Sequence, residues 1–256
     1  MNAYYSLAAW YDRLTKDVPY KAFADYYCKV FSDSGEDVRL VLDLCCGTGS
    51  VTYELADRGY EMISVDNSPE MLSVAQSKCS GMKPSPLFIC QNAEELDLYG
   101  TVDAAVCALD SINYISPDSI ETVFRRLSLF IRPGGMLIFD VKTPQLLMSA
   151  DRQTSIDEDD AVFCVWRSDW SEANRCLIYG MDLFEKKNTL WSRSKEEHVE
   201  YAYDEEALIE MMSSNHFHLL QTESVHALGG QGRQFFTARR ADSRIAGTIR
   251  KLLTNS

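Results

Sequence analysis

The run Val41-Leu42-Asp43-Leu44-Cys45-Cys46-Gly47-Thr48-Gly49-Ser50, with Asp66 closing the next apolar stretch, constrains this chain more than any other feature. An apolar strand ends in a carboxylate, the chain turns through glycines that let backbone amides approach a ligand, and an acid about twenty residues on can take a ribose diol. This is one unit of a parallel α/β sheet with a nucleoside cofactor at the end of its first strand, and it points to an enzyme. The glycines do not choose the cofactor, because a nicotinamide site uses the same parts. Two details do. The third place of GxGxxG is Thr52, which argues against a pyrophosphate on the helix N-terminus. Asp43 suits a cofactor with a cationic amino group, such as S-adenosylmethionine.

The rest of the first half repeats that unit. Apolar patterning predicts strands over 39–44, 61–65, 87–90, 104–108 and 135–141, alternating with helices over 50–58, 69–78 and 119–130, and Pro133-Gly134-Gly135 marks the last turn. Such alternation belongs to an α/β fold, a doubly wound Rossmann-like parallel sheet. A helix over 20–31 and a polar linker over 32–37 come first, and the N-terminal helices are expected to cap the cofactor side of the sheet. From about 145 to 203 the pattern changes to extended segments over 162–166, 177–184 and 191–201, an antiparallel β insertion. A helix over 204–213 and strands over 217–223 and 234–239 close the chain's second half. The expected organisation is a main domain of residues 1–144 and 204–240, a lid of residues 145–203, and a tail of residues 241–256. The tail puts Ile245, Ile249, Leu252 and Leu253 on one helical face, suited to docking on its own domain or on a second subunit in a homodimer.

Composition narrows the partners. A net charge of -13 makes a phosphate backbone a poor partner, so no free nucleic acid is expected. No stretch of about 20 apolar residues suggests a membrane span, and the first residues lack the order of a signal peptide, so a soluble, cytoplasmic protein is expected. The eight cysteines show no CxxC spacing and read as reduced core residues. No metal is expected: His216 and His218 flank Phe217 without a third ligand, and Asp157-Glu158-Asp159-Asp160 reads as a solvated acidic loop lacking a glycine-bearing ligand turn.

Taken together, Val41 to Ser50 resembles the first motif of the class I S-adenosylmethionine-dependent methyltransferases, with Cys45 in place of the usual first glycine. Val65-Asp66-Asn67-Ser68-Pro69-Glu70-Met71-Leu72 is similar to their second motif, and Gln91-Asn92-Ala93 to the third, with Asn92 where an aspartate is usual. Tyr11-Asp12, Asp17-Val18-Pro19-Tyr20 and Asp110-Ser111-Ile112-Asn113-Tyr114 resemble the YD...DVPY and DSxNY segments of a bacterial small-molecule branch. The resemblance implies that Asp43 and the Gly47 to Gly49 backbone hold the methionine end, with Cys45 beside it. It also implies that Asp66, with Asn67 next to it, takes the ribose hydroxyls, that Asn92 and Ala93 border the adenine, and that Met71 covers the ring. Tyr11 and Tyr20 would reach the cofactor's carboxylate, and Leu109 would line the same site.

Asp43, Asp66, Asn92, Asp110 and Asp140 all fall at carboxyl ends of strands, where an open parallel sheet binds its ligand. Asp110 is a candidate base or orienting group for an acceptor, or else a helix cap or a cofactor contact, and Tyr114 could bound the acceptor pocket. Glu196-Glu197-His198-Val199-Glu200-Tyr201-Ala202-Tyr203 resembles the branch's EExHxQRxY segment, with Glu200 for glutamine and Tyr201 for arginine. His198 could be a general base from the lid, or a solvated or structurally paired histidine. The reading is therefore a methyltransferase moving a methyl group to a nitrogen or oxygen of a small molecule. An RNA or protein methyltransferase, and a non-catalytic S-adenosylmethionine-binding regulatory protein, are the alternatives.

Overall fold

Successive residues of the central strands face two different apolar layers, and that division builds the fold. In the computed structural model, which describes residues 7–158, 160–230 and 232–242, Val41 and Ile138 join one buried layer while their neighbours Leu42 and Phe139 join the other. A strand covered on both faces needs apolar residues at every position, which is why these runs are continuous rather than alternating.

The elements follow in the order α1 (Tyr11–Leu14), α2 (Tyr20–Asp33), β1 (Leu40–Leu44), α3 (Ser50–Asp57), β2 (Glu61–Asp66), α4 (Pro69–Lys78), β3 (Leu87–Cys90), β4 (Val102–Cys107), α5 (Ile120–Phe130), β5 (Ile131–Lys142) and α6 (Pro144–Ser149). Then come β6 (Thr154–Glu158), β7 (Val162–Ser171), β8 (Cys176–Lys187), β9 (Leu190–Tyr201), α7 (Glu205–Ser214), β10 (Phe217–Glu223) and β11 (Arg233–Arg240). The main sheet has seven strands in the order β10-β11-β5-β4-β1-β2-β3. Strands β1 to β5 pair parallel, and β11 joins β5 antiparallel. Residues of α2 and α3 (Phe23, Tyr27, Leu55) pack on one face, and residues of α5 and α7 (Phe124, Leu127, Leu208) on the other. This is the doubly wound sheet that the alternation implies. Among the described residues no helix is long and apolar enough to cross a membrane.

Two local expectations need correction. Pro133-Gly134-Gly135 is no turn ahead of a strand but lies inside β5, where the pairing jumps from Val102↔Ile131 to Ala104↔Met136. A Cβ on Gly135 would stand 2.6 Å from the Asp103 carbonyl oxygen, so the irregularity requires glycine. The insertion is an antiparallel sheet of four strands, β6-β7-β8-β9, rather than three. Strand β6 contains Asp157 and Glu158, which the pattern assigns to a loop. All five of its residues are exposed, so it carries no apolar alternation, and its pairing with β7 alone makes it a strand.

The N-terminal segment packs on the insertion: Leu7 joins Val162, Cys164, Met181 and Leu183, with Trp10, Tyr11 and Leu14 against them. Residues 243–256, with the apolar tail face, lie outside the described residues.

Candidate active site

Between the carboxyl ends of β1, β2 and β4 and the inner face of the insertion lies a cavity of about 850 Å³. Its first wall is the β1 turn. Cys45, Gly47 and Gly49 all have left-handed backbone, with φ of 60°, 54° and 71°. Gly47 meets nothing within 4 Å where a Cβ would be, leaving its backbone bare toward the cavity. Gly49 does not line the cavity. A Cβ there would come 2.8 Å from that of Ala75, so Gly49 instead lets α4 approach the loop.

Asp43 is 1% exposed and its Oδ2 accepts from the Thr52 hydroxyl at 2.5 Å, while Thr52 and Ser64 share a further bond of 2.8 Å. The absent third glycine is thus explained: the hydroxyl at that position supports the carboxylate. Burial pushes the Asp43 carboxyl up to about 7, against the Thr52 hydrogen bond and reinforced by the charge of Asp66. Asp66 ties two segments together, its Oδ2 accepting from the Gly47 amide at 2.8 Å and its Oδ1 from the Ser68 amide at 2.9 Å. Burial raises the Asp66 carboxyl too, and these amides oppose it.

Neither carboxylate forms an ion pair among the described residues. A buried, unneutralised carboxylate beside bare glycine backbone fits a ligand with a cationic amine, and a second at the end of β2 fits a diol. Asn67, Met71, Asn92, Ala93 and Leu109 line the wall beyond Asp66. Tyr11 and Tyr20 line it from the N-terminal side, the Tyr20 hydroxyl lying 2.9 Å from that of Thr15.

The other half of the cavity is built around charges. Lys142, at the end of β5, donates to both Glu200 oxygens at 2.9 Å and lies 3.0 Å from Asp110 Oδ2. Arg233 reaches Asp110 Oδ1 at 2.6 Å and also pairs with Asp140. Burial alone would raise the Asp110 carboxyl, but the charges of Lys142 and then Arg233 outweigh it and hold it below the ordinary carboxylate value. Asp110 caps no helix with its side chain. Protonating it would forfeit two ion pairs, so it is suited to orienting groups rather than to taking a proton.

Asp140 does not line the cavity. It sits behind, accepting from the Leu109 and Asp110 amides at 2.9 Å each, and so holds both residues at left-handed φ of 58° and 54°. The Tyr114 hydroxyl donates to Glu200 at 2.9 Å, and its ring stands edge-on to His198 with centroids 6.4 Å apart. His198 is buried, with Nε2 3.4 Å from Glu196. His216, in a turn at φ 67°, and exposed His218 lie away from the cavity.

Sequence reasoning missed Lys142, Arg233, Tyr179 and Trp166, all of which line the cavity. Lys142 follows directly on the strand predicted over 135–141, the signal that could have found it. Arg233 enters from the antiparallel β11, where the rule about carboxyl ends gives no guidance.

A methyltransferase-domain profile matches residues 41–135. A Bacillus subtilis (strain 168) protein named as a methyltransferase, YqeM, is 32% identical over 220 residues, covering 84% of this chain and 87% of that one. A solved S-adenosylmethionine-dependent methyltransferase from Clostridium acetobutylicum ATCC 824 is 27% identical, with a TM-score of 0.83 over 94% of this chain and all (100%) of that one. The chain belongs to the S-adenosylmethionine-dependent methyltransferases. In fold the methyltransferase is also similar to CalS10 of Micromonospora echinaspora, an amino pentose methyltransferase, at 18% identity and a TM-score of 0.74 over 94% of this chain and 99% of that one. The methyltransferase's cofactor is S-adenosylmethionine, and the donor set at the β1 turn agrees with it.

Proposed function

We propose that this cavity holds cofactor and acceptor together, and that the enzyme moves a methyl group to a nitrogen or oxygen of a small molecule lodged under the insertion. One observation carries the reading: a single cavity runs from the β1 turn to the inner face of β9, lined at one end by Asp43, Gly47 and Asp66 and at the other by Tyr114, His198 and Glu200. Its volume is of the size that small-molecule pockets have, roughly 300–1,000 Å³.

In this reading Asp43 takes the cofactor's amino group, Asp66 the ribose diol, Asn92 and Ala93 the adenine edge, Met71 its face, and Tyr11 and Tyr20 the carboxylate. Residues 145–203 form the lid. The bound sulfonium supplies an electrophilic methyl group, so the chain's tasks are alignment and proton removal. Asp110, fixed by Lys142 and Arg233, orients the acceptor. His198 takes the proton, and the Glu196 carboxylate beside it stabilises the charged ring that results. The insertion keeps water from the reacting atoms. The net charge of -13 favours a small acceptor over a phosphate backbone.

The test supplies methyl-labelled S-adenosylmethionine and fractionated bacterial extract. Label is expected in a low-mass fraction, with the initial rate down about a hundredfold in His198→Ala. Label confined to RNA or protein would contradict the reading.

A further inference from the structure

The Tyr11-Asp12 segment enters the reading above only through Tyr11, yet the Asp12 carboxylate contacts three side chains of the main domain. Its Oδ2 lies 2.8 Å from Lys78 Nζ, at the end of α4, and its Oδ1 accepts from the Thr48 hydroxyl at 2.6 Å and from that of Ser50 at 3.4 Å. Lys78 in turn donates to the Ser50 hydroxyl at 2.6 Å and to that of Thr48 at 3.3 Å. Four side chains from α1, the β1 turn, the start of α3 and the end of α4 thus close a polar ring over the glycine loop.

The same segment is fastened to the insertion. The Leu7 amide donates to Glu196 Oε1 at 3.2 Å, and the Trp10 indole donates to Glu185 Oε1 at 2.5 Å. From the same segment Leu7, Tyr11 and Thr15 line the cavity. Helix α1 is four residues long and buries none of them, so it has no stability of its own and is held by what it touches.

We infer that residues 7–15 are a strap that lifts to admit the cofactor, and that Asp12 and Lys78 latch it shut. The inference rests on the cavity being the cofactor site. Asp12 is a positioning residue: it holds Tyr11 over the site and touches no reacting atom. Because the strap also grips Glu185 and Glu196, its closure firms the insertion wall, and the cofactor is then bound before the acceptor.

A latch differs from an ordinary contact in its kinetics. Loss of a contact speeds departure only, whereas loss of a latch speeds arrival and departure together. The experiment measures association and dissociation of S-adenosylhomocysteine by surface plasmon resonance on the full chain, in Asp12→Asn, which keeps an oxygen acceptor for Thr48, and in Lys78→Met. Each variant is expected to raise both rates about two- to fivefold, the scale of a partly exposed ion pair, so that Kd moves less than either rate. Added salt should speed dissociation from the unaltered protein and not from Lys78→Met. Unchanged rates, or faster dissociation with unchanged association, would overturn the latch while leaving the site assignment standing. Failure of the unaltered protein to bind S-adenosylhomocysteine would overturn both. If Asp12→Asn does not fold, Lys78→Met carries the test.

Discussion

Cys45 shows how far a residue's identity can mislead about its task. Read as a small substitute for glycine, it raises only a question of space, but its backbone φ is 60°. A side chain in left-handed backbone costs free energy that glycine avoids. Cys45→Gly is therefore expected to stabilise the protein by about 1 kcal/mol in urea unfolding, net of the glycine's greater unfolded-state entropy. A destabilised variant would show that the cysteine's packing outweighs its strain. The residue types at the β1 turn are legible because each is tied to the chemistry of the ligand proposed there: a carboxylate, a glycine, a second carboxylate. What could not be read was conformation and partnership. Nothing in Leu109-Asp110 signals left-handed backbone, and nothing in Thr52 says that its hydroxyl will serve Asp43 nine positions earlier.

The elements were legible where burial imposes a period and illegible where it does not. Strands β1, β4 and β5 declare themselves by continuous apolar runs; exposed β6 does not. The Asp110 to Tyr114 segment offers Asp110 and Tyr114 as site residues, and the structure gives Asn113 between them a different task. Buried Asn113 accepts from the Lys142 amide at 2.9 Å and donates to the carbonyls of Lys142 at 3.2 Å and Tyr201 at 2.9 Å. It thereby pins the end of β5 to the end of β9, joining the main sheet to the insertion. Asn113→Ala strands partly buried backbone groups on both strands, and a loss of about 1–3 kcal/mol is expected, with faster hydrogen exchange at the end of β9. A loss within a few tenths of a kcal/mol, and unaltered exchange, would contradict that role.

For the whole molecule, the seven-stranded sheet supplies a platform and the insertion with residues 7–15 supplies a roof, and in the proposed reading cofactor and acceptor share the cavity that lies between them. The platform followed from the alternation of apolar runs. The charges between platform and roof did not, because Lys142, Asp110 and Arg233 on the main-sheet side meet Glu200 of the insertion only through tertiary structure, from segments more than 120 positions apart at the extremes. The claim on which all of this depends is that a cationic cofactor seats against Asp43. Burial sets the Asp43 carboxyl near 7, up from 3.8, so near pH 6 the site is largely protonated and near pH 8 largely ionised. A cationic amine binds the ionised form, so affinity rises as pH rises through about 7. Calorimetric titration with S-adenosylhomocysteine should show binding roughly tenfold tighter at pH 8 than at pH 6 in the unaltered protein, and a flat profile in Asp43→Asn. The same pH dependence in both proteins would place the cofactor elsewhere.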